Sequence, residues 1–101
     1  MITHVVVFTV QGDTPEVRKD AAERLRGILS PLAGQIPGVA SLTVELDPHR
    51  NDGHADAVLI SRHPTWEDLD AYQVHPAHVA AVGELADIVA TRAIADIDTA
   101  D

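Results

Sequence analysis

The chain has no cysteine, a single lysine (Lys19) and only three aromatic residues, Phe8, Trp66 and Tyr72. Without thiols there is no disulfide framework, no cysteine nucleophile and no cysteine-ligated zinc. No apolar run approaches the roughly 18 residues that would suggest a membrane span. Basic residues are also scarce: 7 Lys+Arg stand against 16 Asp+Glu, a formal charge of -9. That balance repels phosphate backbones and anionic lipid heads, so neither nucleic acid nor a membrane is an expected partner. The opening Met1-Ile2-Thr3-His4 lacks the basic stretch and apolar core of a signal peptide, which makes the cytoplasm the expected location. A glycine-rich phosphate cradle, a GxSxG elbow and an HExxH pair are missing too, so no cofactor and no resident metal are expected.

What remains is 101 residues, 46% of them hydrophobic, enough for one domain with one core. Residues Ile2 to Val10 form a β-branched run with apolar side chains at both parities, the pattern of a strand buried on two faces. Gln11-Gly12-Asp13 turns the chain. Thr14 and Pro15 then supply an N-cap and a first-turn proline for a helix over Val17, Ala21, Leu25, Ile28, Leu29 and Leu32, ending near Gly34. After the turn Ile36-Pro37-Gly38, residues Val39 to Leu46 alternate as a strand with one wet face. The turn formers from Asp47 to His54 predict a hairpin loop into a third strand, Ala55 to Ser61. Thr65 with Asp68 resembles a capping box opening a second helix over Trp66, Leu69, Tyr72 and Gln73. Pro76 interrupts it and starts another helical segment carrying His78, Val79, Val82, Leu85, Ala86 and Val89. Arg92 to Asp98 closes as a fourth strand.

The order strand, helix, strand, strand, helix, strand is that of an α+β, ferredoxin-like split βαβ sandwich, with strands one and three central. Helices cover only one face of such a sheet. The other face, assigned here to Val5, Val7, Ala57 and Leu59, needs a partner surface, and a second copy of the chain is the simplest. Two sheets packed face to face would make a homodimer in the form of a dimeric α+β barrel.

Six histidines in so short a chain are the unusual feature. His4 shares its parity with Val6 and Phe8, and with strand three taken as parallel to strand one, Asp56 sits opposite it to orient the ring. Tyr72, His75 and His78 follow one another at spacings of three, which keeps them on one side across the helix junction. His78 lies in a first helical turn, where the helix dipole disfavours imidazolium. These positions predict a cavity lined by His4, Val6, Phe8, Asp56, Val58, Tyr72, His75 and His78. In it His78 acts as base, Tyr72 binds or protonates the carbonyl oxygen, His4, oriented by Asp56, is the third catalytic group, and Val6, Phe8, Asp56, Val58 and His75 hold a small apolar ligand. Capping and core packing also account for these residues, as in a non-enzymatic binding protein. A three-histidine metal set of His4, His75 and His78 lacks an adjacent carboxylate. The loop groups Asp47, His49, Asp52 and His54 read as a solvated turn rather than a cation site.

Taken together, Met1-Ile2-Thr3-His4-Val5-Val6-Val7-Phe8, Ile36-Pro37-Gly38-Val39, Arg50-Asn51-Asp52-Gly53 and Leu69-Asp70-Ala71-Tyr72-Gln73-Val74-His75-Pro76-Ala77-His78 resemble the stress-responsive dimeric α/β barrel (Dabb) domain. The resemblance runs over essentially the whole chain and implies a homodimer of ferredoxin-like protomers. One plant member of that family is the polyketide cyclase that forms olivetolic acid by a cofactor-free intramolecular aldol condensation. The resemblance implies that its tyrosine and histidine pair falls on Tyr72 and His78 and its strand-one histidine on His4, and that the ligand is polyketide-like. Its further histidine at the start of strand three is replaced here by Asp56. Leu25 and Ile28 stand where it has aromatic pocket residues.

Overall fold

The computed structural model describes residues 1–48 and 52–99, so His49, Arg50 and Asn51 of the hairpin loop lie outside the described residues. Strand β1 (Ile2–Val10) leads to helix α1 (Pro15–Leu29), which tightens into a 3-10 turn at Ser30–Leu32. Strands β2 (Ser41–Leu46) and β3 (Ala57–His63) follow, then helices α2 (Trp66–Val74) and α3 (Pro76–Glu84), and finally strand β4 (Val89–Asp98). The sheet order is β2-β3-β1-β4 with every neighbouring pair antiparallel. This is the ferredoxin-like arrangement, with β1 and β3 in the centre. Among the described residues no helix is long and apolar enough to cross a membrane.

Local chemistry accounts for the helix ends. Thr14 Oγ1 accepts the backbone N–H of Val17 at 3.2 Å, and Pro15 occupies the first turn of α1. Thr65 Oγ1 accepts from the Asp68 N–H at 3.1 Å and donates to the Asp68 carboxylate at 3.0 Å, so Thr65 caps the helix as the sequence predicts, with the Asp68 carboxylate on the threonine hydroxyl rather than on its backbone N–H. At the α2–α3 junction proline disfavours helical backbone at the residue before it. His75 is accordingly extended (φ -62, ψ 138), and its Nδ1 accepts the Ala77 N–H at 3.0 Å as the N-cap of α3.

The strand directions require a correction. The α1 crossover returns β2 in the direction of β1, and the β2–β3 hairpin then reverses the chain, so β3 runs antiparallel to β1 rather than parallel to it. It also begins at Ala57 and reaches His63, past the predicted end at Ser61. In this register Val6 lies opposite Leu59 and Phe8 opposite Ala57. Because cross-strand partners share a face, Ala57 and Leu59 point toward the helices, where both are buried. The face without helices is formed instead by Val5 and Val7 with their partners Ile60 and Val58, and by Ala93 and Ala95 of β4. Strand β4 starts three residues earlier than predicted, and beyond half-buried Val89 all of it is exposed.

Leu25, Leu29, Leu69, Tyr72 and Ile88, each no more than 2% exposed, anchor the core between the helices and the inner face of the sheet. Val79, expected on the helical stripe, is exposed.

Gly38 leads into β2 with φ +80, and a Cβ built there would lie 2.8 Å from the Asp68 carboxylate. Gly34 has a similar φ of +84 with open space around it. In chemical denaturation Gly34→Ala is expected to cost about 1–2 kcal/mol from left-handed backbone alone, and Gly38→Ala distinctly more.

Candidate functional site

The even-numbered side of β1 carries Ile2, His4, Val6, Phe8 and Val10, all buried beneath the helices. Above His4, Val6 and Phe8 the α2–α3 junction leaves a cavity of about 200 Å³. Tyr72 and Gln73 of α2, His78, Val82 and Leu85 around α3, Leu29 of α1 and Leu59 of β3 complete most of its wall, and Arg92 and Ile94 border it from β4. Five of the predicted site residues therefore meet at one cavity: His4, Val6, Phe8, Tyr72 and His78.

Three do not. Asp56 lies at the far end of β1, about 20 Å along the strand from His4 at the usual rise per residue. Its carboxylate accepts the Val10 N–H at 2.8 Å, and its backbone N–H donates to Phe8 at the same distance. This anchors β1 where its pairing with β4 shifts register. Val58 pairs with Val7 on the opposite side of the sheet. The His75 ring is held in the α3 cap, which also removes it from the three-histidine metal set. His54 Nδ1 donates to Asp47 at 2.9 Å in the hairpin, and His49 lies outside the described residues. Among the described residues no cluster of three or more metal-ligating side chains occurs.

Tyr72 sits at the centre, fully buried, with three imidazoles around its ring. The ring centroids of His78, His63 and His4 lie 4.6, 5.1 and 6.1 Å away. The Tyr72 hydroxyl is buried and, among the described residues, has no hydrogen-bond partner. Burial pushes its pKa up to about 12, so it remains a donor at any physiological pH.

Each histidine has a different hydrogen-bond state. His4 Nδ1 donates to Asp96 Oδ1 at 2.5 Å, because the β1–β4 register sets these two residues opposite each other. Asp96 thus has the orienting role that the sequence reading gave to Asp56. His63 was missed because strand three was ended at Ser61. Its Nδ1 donates to the Gly38 carbonyl at 3.0 Å and its Nε2 accepts from the Ser61 hydroxyl at 2.9 Å, so both nitrogens are satisfied in the neutral form. His78 Nδ1 donates to the Gln73 carbonyl at 2.9 Å, and Nε2 then keeps its lone pair. Burial, opposed by the backbone bonds, lowers the pKa of both His63 and His78 below 6.5.

Since both folded values lie below the ordinary 6.5, the unfolded chain binds protons first as pH falls. The stabilisation is complete above pH 6.5 and is lost on acidification through the lower folded values. Denaturant unfolding is expected to show stability flat from about pH 7 to 8 and declining below 6.5. The double variant His63→Gln/His78→Gln should lessen that slope.

Comparison with known proteins agrees with this architecture. A dimeric ferredoxin-like protein from Bacteroides fragilis is 27% identical, superimposes with a TM-score of 0.81, and matches 97% of this chain and 95% of its own. One from Thermobifida fusca is 26% identical with a TM-score of 0.80, covering 97% of this chain and 90% of its own. SnoaB from Streptomyces nogalater, a cofactor-independent oxygenase, shares the fold at 16% identity and a TM-score of 0.74, covering 99% of this chain and 93% of its own. No curated protein matches the chain in sequence. The model of the Stress Responsive A/B Barrel Domain, Dabb, matches residues 2–99, and the chain belongs to that family.

Proposed function

We propose that the protein is a homodimer whose cavity removes a proton next to the carbonyl of a small, largely apolar compound without a cofactor, in the manner of a polyketide cyclase or isomerase. The observation that carries this reading is the buried Tyr72 hydroxyl beside the His78 Nε2, neither with a hydrogen-bond partner among the described residues. A buried hydroxyl left unpaired is unfavourable by about 1–3 kcal/mol, and a ligand oxygen removes that penalty. His78 Nε2 takes the proton from the carbon next to the carbonyl. The electron pair moves onto the carbonyl oxygen, and the Tyr72 O–H holds the resulting enolate. In a cyclisation the enolate carbon then attacks a second carbonyl of the same molecule, and the proton returns from His78 to the new alkoxide. His4, fixed by Asp96, offers a second oriented imidazole to the substrate. The resemblance to the plant cyclase supports the assignment of Tyr72, His78 and His4. A non-enzymatic, stress-related binding dimer is the alternative, favoured by His63, whose two nitrogens already have partners.

The dimer rests on the apolar face around Val7 and Ile60, 36% and 37% exposed, and on the dimeric relatives from Bacteroides fragilis and Thermobifida fusca. Sedimentation at micromolar concentration is expected to give twice the 10.8 kDa chain mass. Ile60→Asp should shift it toward monomer, and a wild-type monomer would refute the assembly.

Proton abstraction is read directly as deuterium exchange next to the carbonyl of phenylacetone in heavy water. His78→Ala should reduce the catalysed exchange by about 10²–10⁴, and Tyr72→Phe by about 10²–10³. Tyr72→Phe should melt at or above the wild-type temperature, since it deletes an unpaired hydroxyl. Exchange undiminished in His78→Ala eliminates this mechanism. Binding of phenylacetone without accelerated exchange selects the non-enzymatic reading.

The pH profile follows from the same two groups. With His78 below 6.5 and Tyr72 near 12, base and donor are both in the required form over a wide interval. Exchange above the solvent background is expected to be level between about pH 7 and 10 and to fall on acidification below 6.5.

A further inference from the structure

The inner-face row of β4 runs Arg92, Ile94, Asp96, opposite Phe8, Val6 and His4 of β1 in that order. The two charged members of that row are not equivalent. The Asp96 carboxylate is engaged by His4. Arg92 borders the cavity and, among the described residues, has neither a hydrogen bond nor an ion pair. It is close enough to His78 for its charge to act on that ring. What distinguishes Arg92 is its place: of the described Lys and Arg side chains it is the one that borders this largely apolar cavity.

From this placement we infer that the cavity takes a monoanionic carboxylic acid, its carboxylate on Arg92 and its apolar body against Phe8, Val6 and Ile94. The inference rests on the cavity being the ligand site and deepens that reading by naming the ligand's charge and size. A guanidinium presents a planar fork of donors that matches a carboxylate through two parallel hydrogen bonds. The apolar wall of Val6, Phe8, Leu29, Leu59 and Ile94 accepts a hydrocarbon body and no second charge. A cavity of about 200 Å³ suits a single ring with a short chain, since one of about 150 Å³ already holds benzene. Held at its carboxylate by Arg92, such a molecule lays its chain along the cavity wall where the His78 and Tyr72 rings meet. A carbonyl on that chain meets the two groups assigned to proton transfer, so the substrate class is a small aryl or alkyl keto acid.

Phenylacetate and phenylacetamide have nearly the same shape and differ in charge, and calorimetric titration of both tests the assignment. Wild type is expected to bind phenylacetate on the order of tenfold more tightly than phenylacetamide, with the preference shrinking as salt is raised. Arg92→Gln should abolish the preference while still binding phenylacetamide, and Arg92→Lys should retain part of it. Movement of the His78 ring signals in NMR on adding either compound locates the binding. Equal affinity of wild type for the two compounds, with His78 shifted by both, overturns the carboxylate assignment and leaves the cavity reading standing. So does an acid preference that survives Arg92→Gln. Failure of both compounds to bind or to move the His78 signals overturns the inference together with the ligand site on which it rests.

Discussion

Strand β1 is hydrogen-bonded along both edges, to β3 on one side and β4 on the other, and its strict alternation divides the molecule in two. Every second residue faces the helices, and the residues between them face the bare side of the sheet. Side chains on a strand cannot change face without a register slip, so the position of His4 in the sequence commits it to the side that carries Val6 and Phe8. The same alternation commits Val5 and Val7 to the bare side. Cavity and assembly surface are therefore opposite faces of one strand. A substitution that moved the register by a single residue would exchange an imidazole for a valine in both places.

Upon this strand the helix junction adds the reactive groups. Pro76 forces His75 out of helical geometry, the His75 ring caps the next helix, and α3 restarts in a direction that brings His78 against Tyr72. Had α2 continued without a break, spacing alone would have put His75 on the face of Tyr72 and carried His78 one further turn along. The proline thus gives one histidine a structural duty and frees the other. Similar division runs through the cluster. His63 has both nitrogens satisfied and braces Tyr72, His4 is tied to a carboxylate, and His78 alone combines a backbone-fixed tautomer with an unengaged nitrogen among the described contacts.

Much of this was legible from residue order. The element sequence, the ferredoxin-like topology, the helix cap at Thr65, the break at Pro76 and the company of His4 with Tyr72 and His78 all follow from local patterns, and those patterns survive in the fold. What failed was pairing. Taking β3 as parallel to β1 placed Asp56 beside His4 and turned Val58 inward, two errors with one origin. Antiparallel pairing follows from the crossover and the hairpin, and with it Leu59 replaces Val58 and Ser61 faces His4. His63 and Asp96 were invisible for a related reason. Each is an ordinary polar residue near the end of a strand, and its importance exists only once register names the residue across from it.

The bond between His4 and Asp96 joins residues 92 positions apart, and the Thr99 N–H closes back on the Met1 carbonyl at 2.8 Å. Met1 and Thr99 are therefore neighbours in space, and β1 gains its second partner only after the elements between β1 and β4 have been made. Contacts of such long range require the intervening chain to be gathered in first, which slows folding relative to helical proteins of the same size. During synthesis on the ribosome the valines of β1 emerge well before β4, the strand that completes their pairing. The oriented imidazole of the site is accordingly among the final features to form, and a chain that stops short of Asp96 lacks it.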